Sequence, residues 1–512
     1  MSHGPSDSAT LRTNVVRGIR WKALSQGTTQ LSRVAVMLVL ARLLTPREFG
    51  LAGMVLVFAG LIQLFADFGF SASIIQHKEI TDDDRATAFW TNLGVGLALT
   101  GIGIGAAPYV ARFYGEPELK PLLTALSLTF VVASLSSTQA SLLTRDMRFR
   151  TLELAAMTAS AAGAVAAIIT AVMGGGPWAL ILQALVTAAV TSAYLSLSLR
   201  FVPRRGISRA SLRKLWGFGA SVFASRIFGY LGRDTDNFLI GRFLGAQALG
   251  IYSIAYTVIA MPFDRILAPV QALLQPMFAR LQDDRERTRN AWLQGLRMCT
   301  ALLAPLTFGV IVVAPDFVRV VLGARWLPSV HVLQVLAYVG SIQAAVVVSP
   351  LVFMSQYRTR LMLKISALSF AAHLCAFVVG LHWGVLGVAV GYSLSTTLVA
   401  VPLQLIVPGR LLHTSIRAVL SSQAGVAQAT IGMTATVLAA RLGLEHVGVG
   451  AAPRLAACAL LGTVTYVLLA VWREPRLLHE FSVPGRLRAI LLQPVAALES
   501  GATGDAIPNR AL

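Results

Sequence analysis

GRFLGAQALG, residues 241–250, repeats ARLLTPREFG, residues 41–50, at a spacing of 200 residues. Arg242 falls on Arg42, Leu244 on Leu44 and Gly250 on Gly50; upstream, Ser225 falls on Ser25, Leu231 on Leu31 and Arg233 on Arg33. A self-match at fixed spacing is the mark of a duplicated architecture. Each copy straddles the junction between two apolar runs, 21–44 and 49–68 in the first, 216–243 and 249–273 in the second. Further runs lie near 86–108, 121–143, 152–173, 177–199, 296–314, 330–353, 365–381, 385–407, 423–442 and 454–472. Runs of this length cross a hydrocarbon core about 30 Å thick, so the expected fold is an all-α integral membrane protein with about fourteen transmembrane helices. The copies open helices one and seven, which an even number of spans separates, so both run in the same direction. A parallel repeat implies a pseudo-two-fold axis along the membrane normal. The expected organisation is therefore two six-helix lobes, 1–203 and 204–408, around a central cleft, with an extra helix pair and cytoplasmic tail over 409–512.

Composition supports a membrane as solvent: of 512 residues, 55% are hydrophobic and 13% charged. The net charge of +20 does not point to nucleic acid, because the basic residues cluster in alternate short loops. These hold Arg145, Arg148 and Arg150; Arg200, Arg204, Arg205, Arg209, Arg213 and Lys214; Arg280, Arg285, Arg287 and Arg289; and Arg358, Arg360 and Lys364. The polar N-terminal segment joins this set, so the positive-inside rule predicts both termini in the cytoplasm. No cleaved signal peptide is expected from the polar first twenty residues. Cys299, Cys375 and Cys458 all fall in apolar runs at spacings that fit no metal motif, and read as small buried residues. Thr81 followed by Asp84 reads as a helix N-cap rather than an acidic site. No P-loop and no HExxH occur, and the glycine-rich GVGLALTGIGIG, 94–105, lies mid-span, where it suits close helix packing.

RIFGYLGRDTDNFLIGRFLG, 226–245, places Arg226, Arg233, Asp234, Asp236 and Arg242 in a membrane run. At 100° per residue Arg226, Tyr230, Arg233 and Asn237 share one face, and Gln26, Gln30 and Arg33 form the matching face of helix one. An arginine at the bilayer centre costs roughly 2.5–3.5 kcal/mol on insertion scales, so these residues should face the bundle interior or a wet cavity. Two readings stay open: a cationic, substrate-contacting cleft of Arg33, Arg226 and Arg233, or internal pairing of Arg233 with Asp234 or Asp236. Arg33 has no acid three or four residues away. Arg42 and Arg242, near helix ends, are expected to snorkel to the interface. Asp67, Asp264 and Arg265, near inner helix ends, suit gating or capping.

The stretch 41–76, beginning ARLLTPREFG and ending SASIIQ, resembles the opening of Wzx-type polysaccharide flippases of the multidrug/oligosaccharidyl-lipid/polysaccharide exporter superfamily. So does 241–284, with its Gly250–Tyr252 element, and LLTRDMRFR, 142–150, is similar to the family's pattern at a cytoplasmic helix end. The resemblance implies alternating access by a two-lobed bundle in the bacterial cytoplasmic membrane. Its implied cargo is an oligosaccharide on a polyprenyl diphosphate, delivered for exopolysaccharide, capsule or O-antigen. Arg33, Arg226 and Arg233 are the positions onto which the family's cationic cavity carries over. The implied partners are that lipid-linked cargo and membrane lipids, followed by a polysaccharide polymerase and glycosyltransferases acting on the same glycan.

Three other classes compete: a multidrug exporter, a membrane enzyme, and a scaffold recruiting glycan enzymes through the basic inner loops, which topology and anionic lipid explain better. A cation-coupled multidrug exporter of the same fold would hold acids in its cavity, whereas the mid-span charges here are mostly basic. A membrane glycan polymerase or ligase would need a long outer loop bearing catalytic groups, and the outer loops are short. No enzyme activity and no cofactor are expected. Directional movement needs a free-energy difference between loading and release, which glycan removal by polymerisation or a proton or sodium gradient would supply.

Overall fold

A computed structural model describes residues 34–64, 74, 80–199 and 206–473, with side chains for these apart from 61, 63, 64, 210, 212–233, 264, 268, 269 and 272. Among the described residues all regular structure is helical, and nine helices are long and apolar enough to cross a membrane. The helices outrun the apolar stretches that announce them. Asp82–Tyr114 exceeds the expected 86–108, and Arg285–Phe317 begins eleven residues before the expected 296, because polar turns extend each helix beyond its apolar segment. At its start Thr81 forms a capping box, its hydroxyl accepting from the Asp84 N–H at 3.1 Å and the Asp84 carboxylate accepting from the Thr81 N–H at 3.1 Å.

The 200-residue repeat is visible in the backbone. The first copy ends one helix at Leu43 and starts the next at Pro46, a residue suited to the first helical turn because its missing N–H is unpaired there anyway. In the second copy the expected pair 216–243 and 249–273 is one run, Arg209–Arg280, broken only at Gly245 (φ 84°, ψ 178°). A single left-handed residue replaces the short linker. The two breaks pack together: a Cβ on Gly50 would overlap the Ala246 carbonyl oxygen, and one on Gly250 would overlap that of Pro46. Pro46 and Ala246 are themselves 200 residues apart. Such reciprocal contact is what a two-fold relation requires, and it needs glycine at both crossing positions because the neighbour is backbone.

The described chain divides into two compact units. The first holds the residues up to Arg265, Val313–Gly340 and Thr359–Leu403. In it the helices Asp82–Tyr114 and Leu119–Arg145 form a hairpin turned at Gly115, with Gly96 and Gly103 letting Ser134 and Ser127 approach. Phe149–Val172 buries an all-small face of Ala155, Ala159, Gly163, Ala164, Ala167 and Ala171. Val36, Leu40 and Leu44 pack onto Ala164, Ala167, Ala171 and Ala179, the close small-residue packing on which membrane helices rely.

The second unit holds Ile266–Val312, Ser341–Arg358 and the described residues from Gln404 onward. Here the helices Ile416–His446 and Ala451–Arg473 pack with each other and onto Arg285–Phe317. Tyr466 Oη donates to the Ala301 carbonyl at 2.7 Å, and Arg441 donates to that of Val312 at 3.1 Å. Trp292 is fully buried and its Nε1 donates to Ser349 Oγ at 3.3 Å. Cys299 and Cys458 are buried as expected, but Cys375 is exposed. In a membrane an apolar residue can face lipid as readily as core, which an apolar run cannot distinguish.

Candidate functional site

Asp236 is 5% exposed, far below what a carboxylate tolerates without partners. Its Oδ2 accepts a hydrogen bond from Tyr252 Oη at 2.7 Å, and its Oδ1 accepts one from the Asn237 backbone N–H at 2.8 Å. Asn237 Nδ2 reaches Asp234 Oδ1 at 3.5 Å, while Asn237 Oδ1 is buried with no hydrogen-bond partner among the described residues. Tyr252 itself is fully buried and stacks on Tyr256, with ring centroids 6.3 Å apart. The Gly245 break makes this possible: the chain folds past it, so that a tyrosine sixteen residues on lies beside the carboxylate.

The candidate residues divide accordingly. Asp234, Asp236 and Asn237 come together, and Arg265 lies exposed farther along the same helix. Gln26, Gln30, Arg33 and Asp67 lie outside the described residues. Arg226, Tyr230, Arg233 and Asp264 lie in the Arg209–Arg280 helix, with side chains outside those described.

An aromatic group forms around Phe238, farther along the same helix. Phe238 stacks on Phe113 at 5.2 Å and meets Phe58 at 5.9 Å and Tyr114 at 6.3 Å. The Arg242 guanidinium lies over Phe113 at 5.1 Å, a cation–π contact that holds an exposed head against the protein. Arg42 is also exposed, yet it does more than reach the interface. It donates to the carbonyls of Val320 and of Val321, the latter at 3.1 Å from Nε. Those carbonyls belong to the π-turn Val318–Leu322, where helical pairing is irregular. Trp326 Nε1 donates to the Ala41 carbonyl at 2.7 Å, and its ring meets Phe49 edge-on at 5.3 Å. The first repeat copy, 41–50, is thus clasped to the 318–329 segment. Arg47 bridges Glu118 and Glu116 at 3.0 and 2.8 Å, and the hydrogen bond to Glu118 leads the effects that push its pKa up.

A second polar pair, half-buried His373 and buried Ser395, lies in the same unit. His373 Nδ1 is 2.8 Å from Ser395 Oγ, and that hydroxyl already donates to the Tyr392 carbonyl at 3.0 Å, so the imidazole supplies the proton of the His373–Ser395 bond. The ring meets Tyr392 edge-on at 5.0 Å. Sequence reasoning gave His373 and Trp326 no role, and met Tyr252 only in the Gly250–Tyr252 element. His373 is an isolated polar residue in the 365–381 run, Tyr252 stands within 249–273, and Trp326 falls in the linker between 296–314 and 330–353. Among the described residues no cluster of histidine, cysteine and acids could hold a metal ion.

A family model for "polysaccharide biosynthesis protein" matches residues 39–331. Lipopolysaccharide biosynthesis protein WzxC of Escherichia coli (strain K12) is 29% identical over 390 residues, 75% of this chain and 79% of that one. Succinoglycan biosynthesis transport protein ExoT of Rhizobium meliloti (strain 1021) is 32% identical, covering 63% of this chain and 65% of its own. Teichuronic acid biosynthesis protein TuaB of Bacillus subtilis (strain 168) is 26% identical, covering 65% and 69%. Among solved structures, lipid II flippase MurJ in an inward closed conformation overlays with a TM-score of 0.71 at 13% identity, covering 90% of this chain and all of that one. An inward-facing multidrug resistance MATE transporter of the MOP superfamily overlays at 0.60 with 16% identity, covering 75% and 94%. At these identities the overlays show a shared fold.

Proposed function

Because the chain belongs to the polysaccharide biosynthesis protein family, we propose that it is a flippase. Its cargo is an oligosaccharide carried on a polyprenyl diphosphate, moved across the bacterial cytoplasmic membrane for surface polysaccharide synthesis. The observation that carries this reading is a conjunction. The relatives are named for making three different surface polysaccharides, one of them explicitly as a transport protein. The fold is shared with a flippase named for a lipid-linked precursor. Glycans that differ so much have in common the lipid-linked form in which a membrane carrier would meet them. The chain moves its cargo without chemistry on it, and a polymerase and glycosyltransferases are the partners that act before and after.

In this reading fourteen helices form lobes over 1–203 and 204–408, with 409–512 adding a helix pair and tail, and both termini lie in the cytoplasm. The 42–50 and 242–250 crossing then lies at the outer face, and its closed packing belongs to an inward-open state of an alternating-access cycle. Arg33, Arg226 and Arg233 grip the diphosphate, since guanidinium groups offer paired donors to phosphate. Gln26, Gln30, Tyr230 and Asn237 share their helix faces and contact the adjoining sugar. Asp234 and Asp236 stay within the protein, Asp236 held by Tyr252. Energy comes from glycan removal or from a proton or sodium gradient. The fold shared with a multidrug transporter supports the second reading, export of a small cation, but that reading leaves the basic stripe without a use.

The test is Arg33→Ala and Arg233→Ala in a strain that depends on this protein for surface glycan. Each lost charge-assisted contact is worth about 1.5–3 kcal/mol, or roughly ten- to a hundredfold. Export should fall at least tenfold with protein abundance unchanged. Normal export at normal abundance would remove the cationic grip.

A further inference from the structure

The Arg285–Phe317 and Ile416–His446 helices begin side by side, tied by Arg285 and His413 at 3.1 Å. Between their first turns lies a cavity of about 440 Å³ lined by Asn290, Gln294, Arg297, Ser421 and Ser422, with Leu293 and Ala418. Asn290 and Ser421 both precede the apolar runs of their helices, 296–314 and 423–442, so the cavity stands at the depth where lipid headgroups meet water.

Its chemistry is divided. Asn290 Oδ1 already accepts from Arg289 at 3.2 Å, which leaves its amide N–H groups to donate beside the Arg297 guanidinium. Ser421 Oγ donates to the Ala418 carbonyl at 3.0 Å, so its oxygen presents a lone pair. One part of the cavity thus suits an anion and another suits a hydroxyl donor. Arg410 and Arg417 precede its Ala418–Ser422 wall, and on the facing helix Arg289 is paired with Glu286 at 3.1 Å.

We propose that this cavity binds the phosphate and adjoining hydroxyls of a membrane lipid. Basic pockets between transmembrane helices at the cytoplasmic face are suited to anionic headgroups. Phosphatidylglycerol and a polyprenyl diphosphate bearing sugar both offer phosphate next to hydroxyls. The site concerns the second unit alone and stands whether or not the chain is a flippase.

The test titrates the purified full chain in detergent with phosphatidylglycerol, phosphatidylethanolamine and a polyprenyl diphosphate sugar, reading bound lipid by native mass spectrometry and unfolding temperature in parallel. Phosphatidylglycerol, the diphosphate sugar or both should bind ahead of phosphatidylethanolamine, and Arg297→Gln should weaken that binding about tenfold. Ser421→Val, an exposed position, provides a second variant should Arg297→Gln fail to fold, and should weaken it several-fold. Preference for phosphatidylglycerol identifies a bilayer lipid as occupant, and preference for the diphosphate sugar identifies cargo. No preference over phosphatidylethanolamine, or equal binding by wild type and the folded variants, overturns the proposal. Because phosphatidylglycerol binding requires no glycan movement, its result is separate from that of the transport tests.

Discussion

Gly50→Val and Gly250→Val should each reduce glycan export by more than tenfold, the largest effect expected of any single substitution outside the cationic stripe. In each case the added Cβ falls on a carbonyl of the crossing chain, Ala246 for Gly50 and Pro46 for Gly250, so no side-chain rotation relieves the overlap. Overpacking costs typically 1–3 kcal/mol even where neighbours can move, and here the neighbours are two backbones meeting at a junction. The two substitutions break one reciprocal contact. Their combined effect on unfolding should therefore be smaller than the sum of the separate effects, since residues in contact do not behave additively. Gly94→Val and Gly101→Val are the controls: nothing lies within 4 Å of a Cβ at either position, and both should be near neutral. Wild-type abundance and export for Gly50→Val would mean that the crossing is not occupied as described.

Tyr252→Phe should produce the second large effect. It removes a 2.7 Å hydrogen bond from a buried carboxylate and fills the space with a ring that cannot donate. Hydrogen bonds to charged groups contribute about 1.5–3 kcal/mol, so the folded-to-unfolded ratio from a denaturant titration should fall roughly ten- to a hundredfold. Asp236→Asn should cost less, because an amide oxygen still accepts from the tyrosine. Once Asp236 is replaced by leucine, Tyr252→Phe should cost little more, and the cycle of single and double variants should return a coupling above about 1 kcal/mol. A coupling near zero would detach Tyr252 from Asp236.

The residues explain why some of this was legible in sequence and some was not. The duplication at 41–50 and 241–250 was readable because identical local demands, a chain break and a close crossing, impose identical residues at a fixed spacing. The cap at Thr81 was readable because capping involves only four consecutive residues. The partners of Asp236 and Arg42 were not readable. Tyr252 lies sixteen residues from Asp236 across the Gly245 break, so helical periodicity does not connect them, and the carbonyls that receive Arg42 are 278 and 279 residues away. Backbone acceptors leave no trace in the side-chain pattern. The snorkelling expected of Arg42 considered only its depth, whereas an irregular π-turn nearby offered carbonyls for it to cap. Cys375 was misjudged for a related reason: in lipid, exposure and hydrophobicity go together. Arg297 did carry a signal, an arginine just inside an apolar run, but its companions Ser421 and Ser422 lie in another helix more than a hundred residues on.

The proposed transport is tested most directly with purified full-length protein in sealed liposomes that carry a polyprenyl-diphosphate-linked oligosaccharide in one leaflet. Accessibility of the glycan to an impermeant glycosidase at the opposite face is followed over time. Wild-type protein should expose the glycan there, while equally well-folded Arg233→Ala protein should do so at least tenfold more slowly. Glycan that stays in its original leaflet with folded wild-type protein, under an imposed proton or sodium gradient as well as without one, would contradict a flippase.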